Sequence, residues 1–235
     1  MLILGIDTSG KTASAALFDT ETGIFPAQDT LYTQKTHSQV IMPMCRKIIE
    51  QTGHKMTDLG MIAVANGPGS YTGLRIGVAA VKAMCYALDI SCCGVSTLKG
   101  IAWNNIAYQG KICAVMKARG ELVYTCTYRN SSAGAEPLCD EQIIESSELA
   151  DYLNCDTEPV LLCGDGAEEF YNKYCSGNTA DGKFRLAPAM GMLQNAAGIC
   201  LASLYGTPIE PQELEVSYLQ KVKAEKELED KNKNK

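Results

Sequence analysis

Met61-Ile62-Ala63-Val64-Ala65-Asn66-Gly67-Pro68-Gly69-Ser70-Tyr71-Thr72-Gly73-Leu74-Arg75-Ile76-Gly77 passes from small and branched apolar residues, through a glycine-rich turn, into a long apolar segment. The pattern reads as a buried strand at Met61 to Ala65, a turn at Gly67-Pro68-Gly69, and a helix capped by Ser70 or Thr72 that reaches about Leu88. A further strand at Ile90 to Val95 and a helix from Ser96-Thr97 to about Ile106 continue the alternation expected of an α/β fold. Such a turn leaves backbone N–H groups at the positive end of a helix, which suits a phosphate. It is not a Walker loop, because Leu74 rather than Lys follows Gly73. The spacing alone favours the plainer reading. There the turn lets helix and strand pack closely, and Gly73 and Gly77 give a flat face to another backbone.

Upstream, Leu2 to Ile6 is an apolar run ended by Asp7-Thr8-Ser9-Gly10, a buried strand and its turn. Ala13 to Asp19 and Phe25 to Thr33 follow as strands of a meander, with Asp19 to Gly23 between them. Thr36 to Thr52 is helical: Val40, Ile41, Met44, Cys45, Ile48 and Ile49 recur at helical spacing and Gly53 ends it. Pro43 predicts a kink or a delayed start. Downstream the order restarts with a hairpin of Lys111 to Lys117 and Leu122 to Tyr128, a helix at Glu145 to Asn154 and a strand at Val160 to Cys163. Ala167 to Cys175, Phe184 to Ala187 and Met192 to Tyr205 then read as helix, short strand and helix. The chain therefore divides into two related lobes, residues 1–108 and 109–220, with a charged and disordered tail at 221–235.

Across 235 residues, 46% are hydrophobic and 20% charged, enough apolar surface to exclude a disordered or fibrous chain. The 21 Lys+Arg against 27 Asp+Glu leave a net charge of −6, which argues against this chain holding a polyanion by itself. Even the tail has only two more lysines than acids. Eleven cysteines, an odd number without Cys-x-x-Cys spacing and mostly inside apolar runs, fit small hydrophobes in a reducing cytoplasm rather than disulfides or zinc ligands. No apolar stretch approaches the ~20 residues of a membrane span.

Other motifs are weaker. Asp7-Thr8-Ser9 sets an acid and two hydroxyls at a strand end, as phosphate-binding turns of actin-like ATPases do, but also as ordinary turns do. Gly164-Asp165-Gly166 opens a second strand-to-helix junction, where Asp165, Glu168 and Glu169 are expected to occupy the helix N-terminus and repel a phosphate. His37 and His54 lie too far apart for a metal pair on one helix, and no catalytic triad is suggested. The helix from Ser70 is apolar or small around most of its circumference, through Leu74, Val78, Val81, Cys85 and Leu88 on one stripe and Ala79, Ala83, Met84 and Ala87 elsewhere. It is either sandwiched inside its own domain or offers one face to a partner.

Taken together, Leu4-Gly5-Ile6-Asp7-Thr8-Ser9, Thr36-His37-Ser38-Gln39, the glycine-rich segment Ala65 to Gly77, and Val216-Ser217-Tyr218-Leu219-Gln220 resemble the TsaB (YeaZ) family. The resemblance is dense in the first hundred residues and thin afterwards. The late motif departs from the family's Pro-x-Tyr-Leu-Arg at Ser217 and Gln220. It implies an α/β, actin-like/Hsp70-like (ASKHA) duplicated two-lobe fold with mixed sheets flanked by helices. It also implies a non-catalytic subunit in formation of threonylcarbamoyladenosine next to the anticodon of tRNAs reading codons that start with A.

The implied partners are a TsaD-like paralogue, which carries the metal and transferase site, and a TsaE-like ATPase. ATP and metal are expected on those subunits and no cofactor on this chain alone, with tRNA engaged only through the complex. Where TsaD relatives carry a His-x-x-x-His pair, Val78 to Met84 contains no histidine. The expected partner surface, which a second copy could also use, comprises His37, Ile41, Met44, Ile48, Tyr71, Arg75, Val78, Ala79 and Lys82. Asp7, Thr8, Ser9, Gly67, Gly69 and Ser70 are expected as vestigial phosphate loops. The alternative is an active actin-like ATPase or sugar kinase that uses the Asp7 and Gly67 loops.

Overall fold

The structure, a computed structural model, describes residues 1–32, 36–131, 134–155, 157–176 and 182–219. The expected tail at 221–235, and Gln220 with it, lies outside the described residues. In the first sheet β1 (Leu2–Asp7), β2 (Thr12–Asp19) and β3 (Ile24–Tyr32) form the expected antiparallel meander. β4 (Leu59–Gly67) and β5 (Ser91–Ser96) then add in parallel, giving the order β3-β2-β1-β4-β5. The second sheet repeats this plan. β6 (Lys111–Lys117), β7 (Leu122–Ser131) and β8 (Gly134–Pro137) are antiparallel, and β10 (Val160–Cys163) and β11 (Phe184–Leu186) add in parallel beside β6. An extra short strand, β9 (Gln142–Glu145), pairs with the far half of β7. Neither β8 nor β9 stands out in the sequence, being only four residues each.

The alternation of strand side chains sets the layers. Leu2, Leu4, Ile6, Ile62 and Val64 point to one face of the first sheet, covered by α1 (His37–Gln51) and α2 (Tyr71–Leu88). Ile3, Met61, Ala63 and Ala65 point to the other face, where α3 (Thr97–Trp103) and α7 (Ala196–Ser203) lie between the two sheets. Ile112, Ala114 and Met116 of β6 meet the same layer from the second sheet. Cys113 and Val115 turn outward beneath α4 (Ser146–Asn154) and α5 (Ala167–Phe170).

Some boundaries differ from the sequence reading for local reasons. The expected helix from Met192 to Tyr205 is two pieces, α6 (Ala189–Met192) and α7. They are separated by a turn in which Thr12 Oγ1 donates to the Gln194 carbonyl and Asn195 caps α7 through the Ala197 N–H. α5 gives way to a wider-wound turn at Tyr171–Cys175. α1 starts at His37 and contains Pro43, whose side chain faces solvent, so the start is not delayed. All eleven cysteines are free, and nine are buried.

α3 and α7 cross at glycines. A Cβ on Gly198 would fall inside the van der Waals radius of the Gly100 carbonyl oxygen, and one on Gly100 would strike the Ile199 side chain. This crossing couples the two sheets. Gly198→Ala is expected to lower unfolding free energy by about 1–3 kcal/mol through overpacking, despite alanine's better helix propensity. Urea denaturation reads this, and an unchanged midpoint would show that the helices separate freely.

Candidate functional site

The loop after β1 and the glycine-rich turn after β4 meet at the end of the first sheet. Asp7 is 1% exposed, and its carboxylate accepts from the Ser9 N–H at 2.9 Å and the Ser9 hydroxyl at 2.6 Å. Burial pushes its pKa up to about 6, against the lowering effect of the two Ser9 hydrogen bonds. The turn seats on this loop through backbone contacts. Ser70 N–H donates to the Ser9 carbonyl at 2.7 Å, and Thr8 Oγ1 donates to the Gly73 carbonyl at 2.7 Å. Gly73 faces the Thr8 carbonyl, and Gly77 faces the Thr8 hydroxyl, so closely that neither position has room for a Cβ. The helix start is self-satisfied, since Ser70 Oγ accepts from the Gly73 N–H at 3.2 Å. Asp7, Thr8, Ser9, Gly67, Gly69 and Ser70 are thus brought together and packed onto one another.

Beside them, between the sheet ends, lies a cavity of about 540 Å³. Ser9, Gly10, Lys11, Gly69 and Ser70 line one wall, and Lys117, Arg119, Tyr124 and Asp165 line the other. Of the second-junction carboxylates, Glu168 and Glu169 sit in the first turn of α5 as expected, while Asp165 turns to the neighbouring strand. Asp165 accepts from the Lys117 N–H at 3.1 Å, and Glu169 pairs with Lys117 Nζ at 2.5 Å. Desolvation raises the pKa of Asp165, while that pairing lowers Glu169's. The cavity wall therefore carries Lys11, Lys117 and Arg119 against one carboxylate. Sequence reasoning missed these cations because they converge only when the two sheets are set side by side.

The partner helices need a correction. Ile41, Met44, Ile48 and Val78 were expected at a partner surface, yet all four are buried in the chain's own core, between 1 and 6% exposed. They lie on the stripe that covers the sheet, so the opposite stripe is the one left outside. On α2 it carries Tyr71, Arg75, Ala79, Ala83 and Tyr86, and on α1 Met42 and Pro43. Met42 is 43% exposed; Tyr86, at 82% exposed, went unnoticed because a single sequence does not reveal which apolar stripe faces inward. His37 is half-buried against Gly73, and Lys82 donates to the Gln212 carbonyl at 3.3 Å.

That last bond belongs to a C-terminal strap. Ile209 exchanges backbone hydrogen bonds with Cys92, Leu214 is buried, and Ser217 N–H donates to the Asn66 carbonyl. The Tyr218 ring stacks on Tyr71 with centroids 5.4 Å apart. Arg75 donates to the Tyr218 hydroxyl at 3.1 Å while lying 4.1 Å from the Tyr71 ring centre. The late motif is therefore structural mortar beside α2. Among the described residues no group of three or more His, Cys, Asp or Glu could hold a metal ion, and no helix is long and apolar enough to cross a membrane.

A twice-repeated sheet of this order, with helices on both faces and a cleft between the halves, defines the actin-like (ASKHA) two-lobe class. The family model for TsaD, tRNA N6-adenosine threonylcarbamoyltransferase, matches residues 10–179. The chain is 36% identical over 164 residues to the tRNA threonylcarbamoyladenosine biosynthesis protein TsaB of Bacillus subtilis (strain 168), covering 70% of this chain and 71% of that one. The Escherichia coli (strain K12) protein of the same name is 33% identical over 136 residues, covering 57% and 58%. YeaZ from Pseudomonas aeruginosa superposes with a TM-score of 0.78 at 21% identity, over 93% of this chain and 99% of that one. The chain belongs to the TsaB (YeaZ) family.

The buried Asp7 makes the site pH-dependent with a defined sign. Its folded pKa lies above the ordinary carboxyl value of 3.8, so the folded state binds the proton more tightly. Its contribution is fully present below about pH 4 and is lost as pH rises through about 6. Relative to Asp7→Asn, the wild type is expected to lose up to about 3 kcal/mol between pH 4 and pH 7, at 1.36 kcal/mol per unit. Urea titrations of both proteins across that range measure it. A pH-independent difference would mean that Asp7 stays ionised and paired.

Proposed function

We propose that the chain is a non-catalytic subunit in transfer of the threonylcarbamoyl group to the adenosine next to the anticodon of tRNAs reading codons that start with A. In this reading it works in the cytoplasm, docked on a TsaD-like paralogue and joined by a TsaE-like ATPase. ATP and the metal sit on those subunits, and tRNA is held only by the assembled complex. The observation that carries the proposal is the outer stripe of α1 and α2. Met42, Tyr71, Ala79, Ala83 and Tyr86 present small and aromatic surface to solvent, on helices whose other side already covers the sheet. Such a pair suits packing against an equivalent pair in a four-helix arrangement, and a second copy is the other occupant the geometry admits.

The packed Asp7 loop supports a role without phosphate chemistry of its own. Its carboxylate is sequestered by Ser9, and its neighbours are spent on the glycine turn. A second reading, an ATPase or sugar kinase, is favoured by one feature, the Lys11, Lys117 and Arg119 wall of the cleft.

Ala79→Glu with Ala83→Glu is expected to weaken association with a TsaD-like partner at least about 100-fold, by burying unpaired charge, and to leave the circular dichroism spectrum unchanged. Val78→Glu, in contrast, is expected to unfold the protein. Retained wild-type affinity in the folded double variant would sink the interface. Calorimetry of the isolated chain with Mg-ATP is expected to give no binding, and a low-micromolar Kd would decide for the kinase reading.

A further inference from the structure

We propose that Cys126 and Cys139 form a reversible dithiol–disulfide site, a place of oxidative modification by hydrogen peroxide or related peroxides. The argument begins with register. β7 and β8 pair antiparallel with Tyr128 opposite Pro137 and Arg129 opposite Glu136, and the same register carried two residues further sets Cys126 opposite Cys139. Leu138 N–H donates to the Thr127 carbonyl at 2.8 Å, one half of a hydrogen-bonded pair, while the Thr127 N–H turns to the Cys139 sulfur. The cysteines then occupy the adjacent pair without backbone bonds, where Cα atoms approach to about 4.5 Å. That separation lies within the range a disulfide spans. The thiols are already in contact distance of each other's residues. Cys126 Sγ donates to the Cys139 carbonyl at 3.3 Å, and the Thr127 N–H points to Cys139 Sγ at 3.5 Å.

Access and reactivity divide the two roles. Cys139 is partly exposed, and the hydrogen bonds reaching its sulfur from Cys126 and Thr127 lower its pKa below the usual thiol range. Cys126 is fully buried beside it. Other neighbouring cysteines, Cys85 with Cys92 and Cys113 with Cys163, are buried on both sides, and the exposed Cys155 bonds to the Asp151 carbonyl of its own helix.

In the first step the Cys139 thiolate attacks one peroxide oxygen. The O–O bond breaks, hydroxide leaves, and Cys139 becomes a sulfenic acid. The Cys126 sulfur then attacks that sulfur, the S–S bond forms and the S–O bond breaks. The departing hydroxide takes the Cys126 proton as water. Two thiols and one hydrogen peroxide thus give a disulfide and two waters, and a dithiol reductant reverses the change.

The test uses the full chain, reduced and then treated with hydrogen peroxide at pH 7, denatured, alkylated and digested with trypsin and Glu-C. The expected product is peptide 122–129 linked to peptide 130–141, two hydrogens lighter than their sum, abolished by dithiothreitol. The melting temperature is expected to rise by several degrees in the oxidised protein, because a short loop is closed. Cys139→Ser should lose both the link and the rise. Recovery of a fully alkylated Cys126 beside a Cys139 sulfinic acid would overturn the proposal, as would linkage of Cys139 to Cys155. The wild-type digest decides this even if a variant fails to fold.

Discussion

The contact of Thr8 with Gly73 and Gly77 governs the first half of the molecule. A strand end and a helix approach until the Thr8 carbonyl and hydroxyl sit where side chains would otherwise stand. Only glycine permits this approach, and the Thr8-to-Gly73 and Ser70-to-Ser9 bonds hold it. Once α2 is pinned at its N-terminus, its rotation about its axis is set. Leu74, Val78, Val81 and Cys85 must then face the sheet, and Tyr71, Arg75, Ala79 and Ala83 must face away. The same contact leaves the carboxylate of Asp7 enclosed, accepting from the Ser9 N–H and the Ser9 hydroxyl. One packing constraint therefore closes a loop of phosphate-binding type and directs to solvent a helix face of small and aromatic residues with Arg75 among them.

The C-terminal strap completes that arrangement from the other side. Gly67, at φ +134, takes a backbone conformation that side chains rarely adopt, and Ser217 lies against it. Tyr218 and Arg75 enclose the Tyr71 ring, so one edge of the exposed stripe is a pre-ordered aromatic and cationic surface. Ordering it within the chain lowers the entropy cost of using it in association.

The sequence made the fold legible wherever period and punctuation agreed. Apolar runs at Leu2 to Ile6 and Met61 to Ala65, and glycine turns at Gly53 and Gly67, placed the strands and helices of the first sheet within a few residues. The duplication was visible because the same order restarts at Lys111. What escaped was relational. α2 is apolar around most of its circumference, so the sequence could not say which stripe met the sheet, and Ile41, Met44, Ile48 and Val78 were assigned to the wrong side. Likewise Lys11 and Arg119 gain meaning only across the cleft, and Asp165 is committed to a backbone N–H on a different strand. Gly73 and Gly77 carried the correct signal, close backbone approach, but to Thr8 of the same chain.

The middle layer explains why the two sheets behave as one body despite their separate hairpins. α3 follows the first sheet in the chain and α7 follows the second, yet each packs against strands of the other half. Cys200 and Ala196 of α7 meet Gly5 of β1, and Trp103 of α3 covers Gly134 at the start of β8. Each repeat thus supplies a helix that its neighbour's sheet needs for burial, and the apolar inner faces of both sheets are satisfied only in the joined state. Opening the cleft would have to slide α3 over α7 at Gly100 and Gly198, where backbones are already in contact. Close packing at that crossing resists lobe rotation, the motion by which a cleft of this shape would close on a ligand, and leaves the outer helices as the surface free to engage a partner without it.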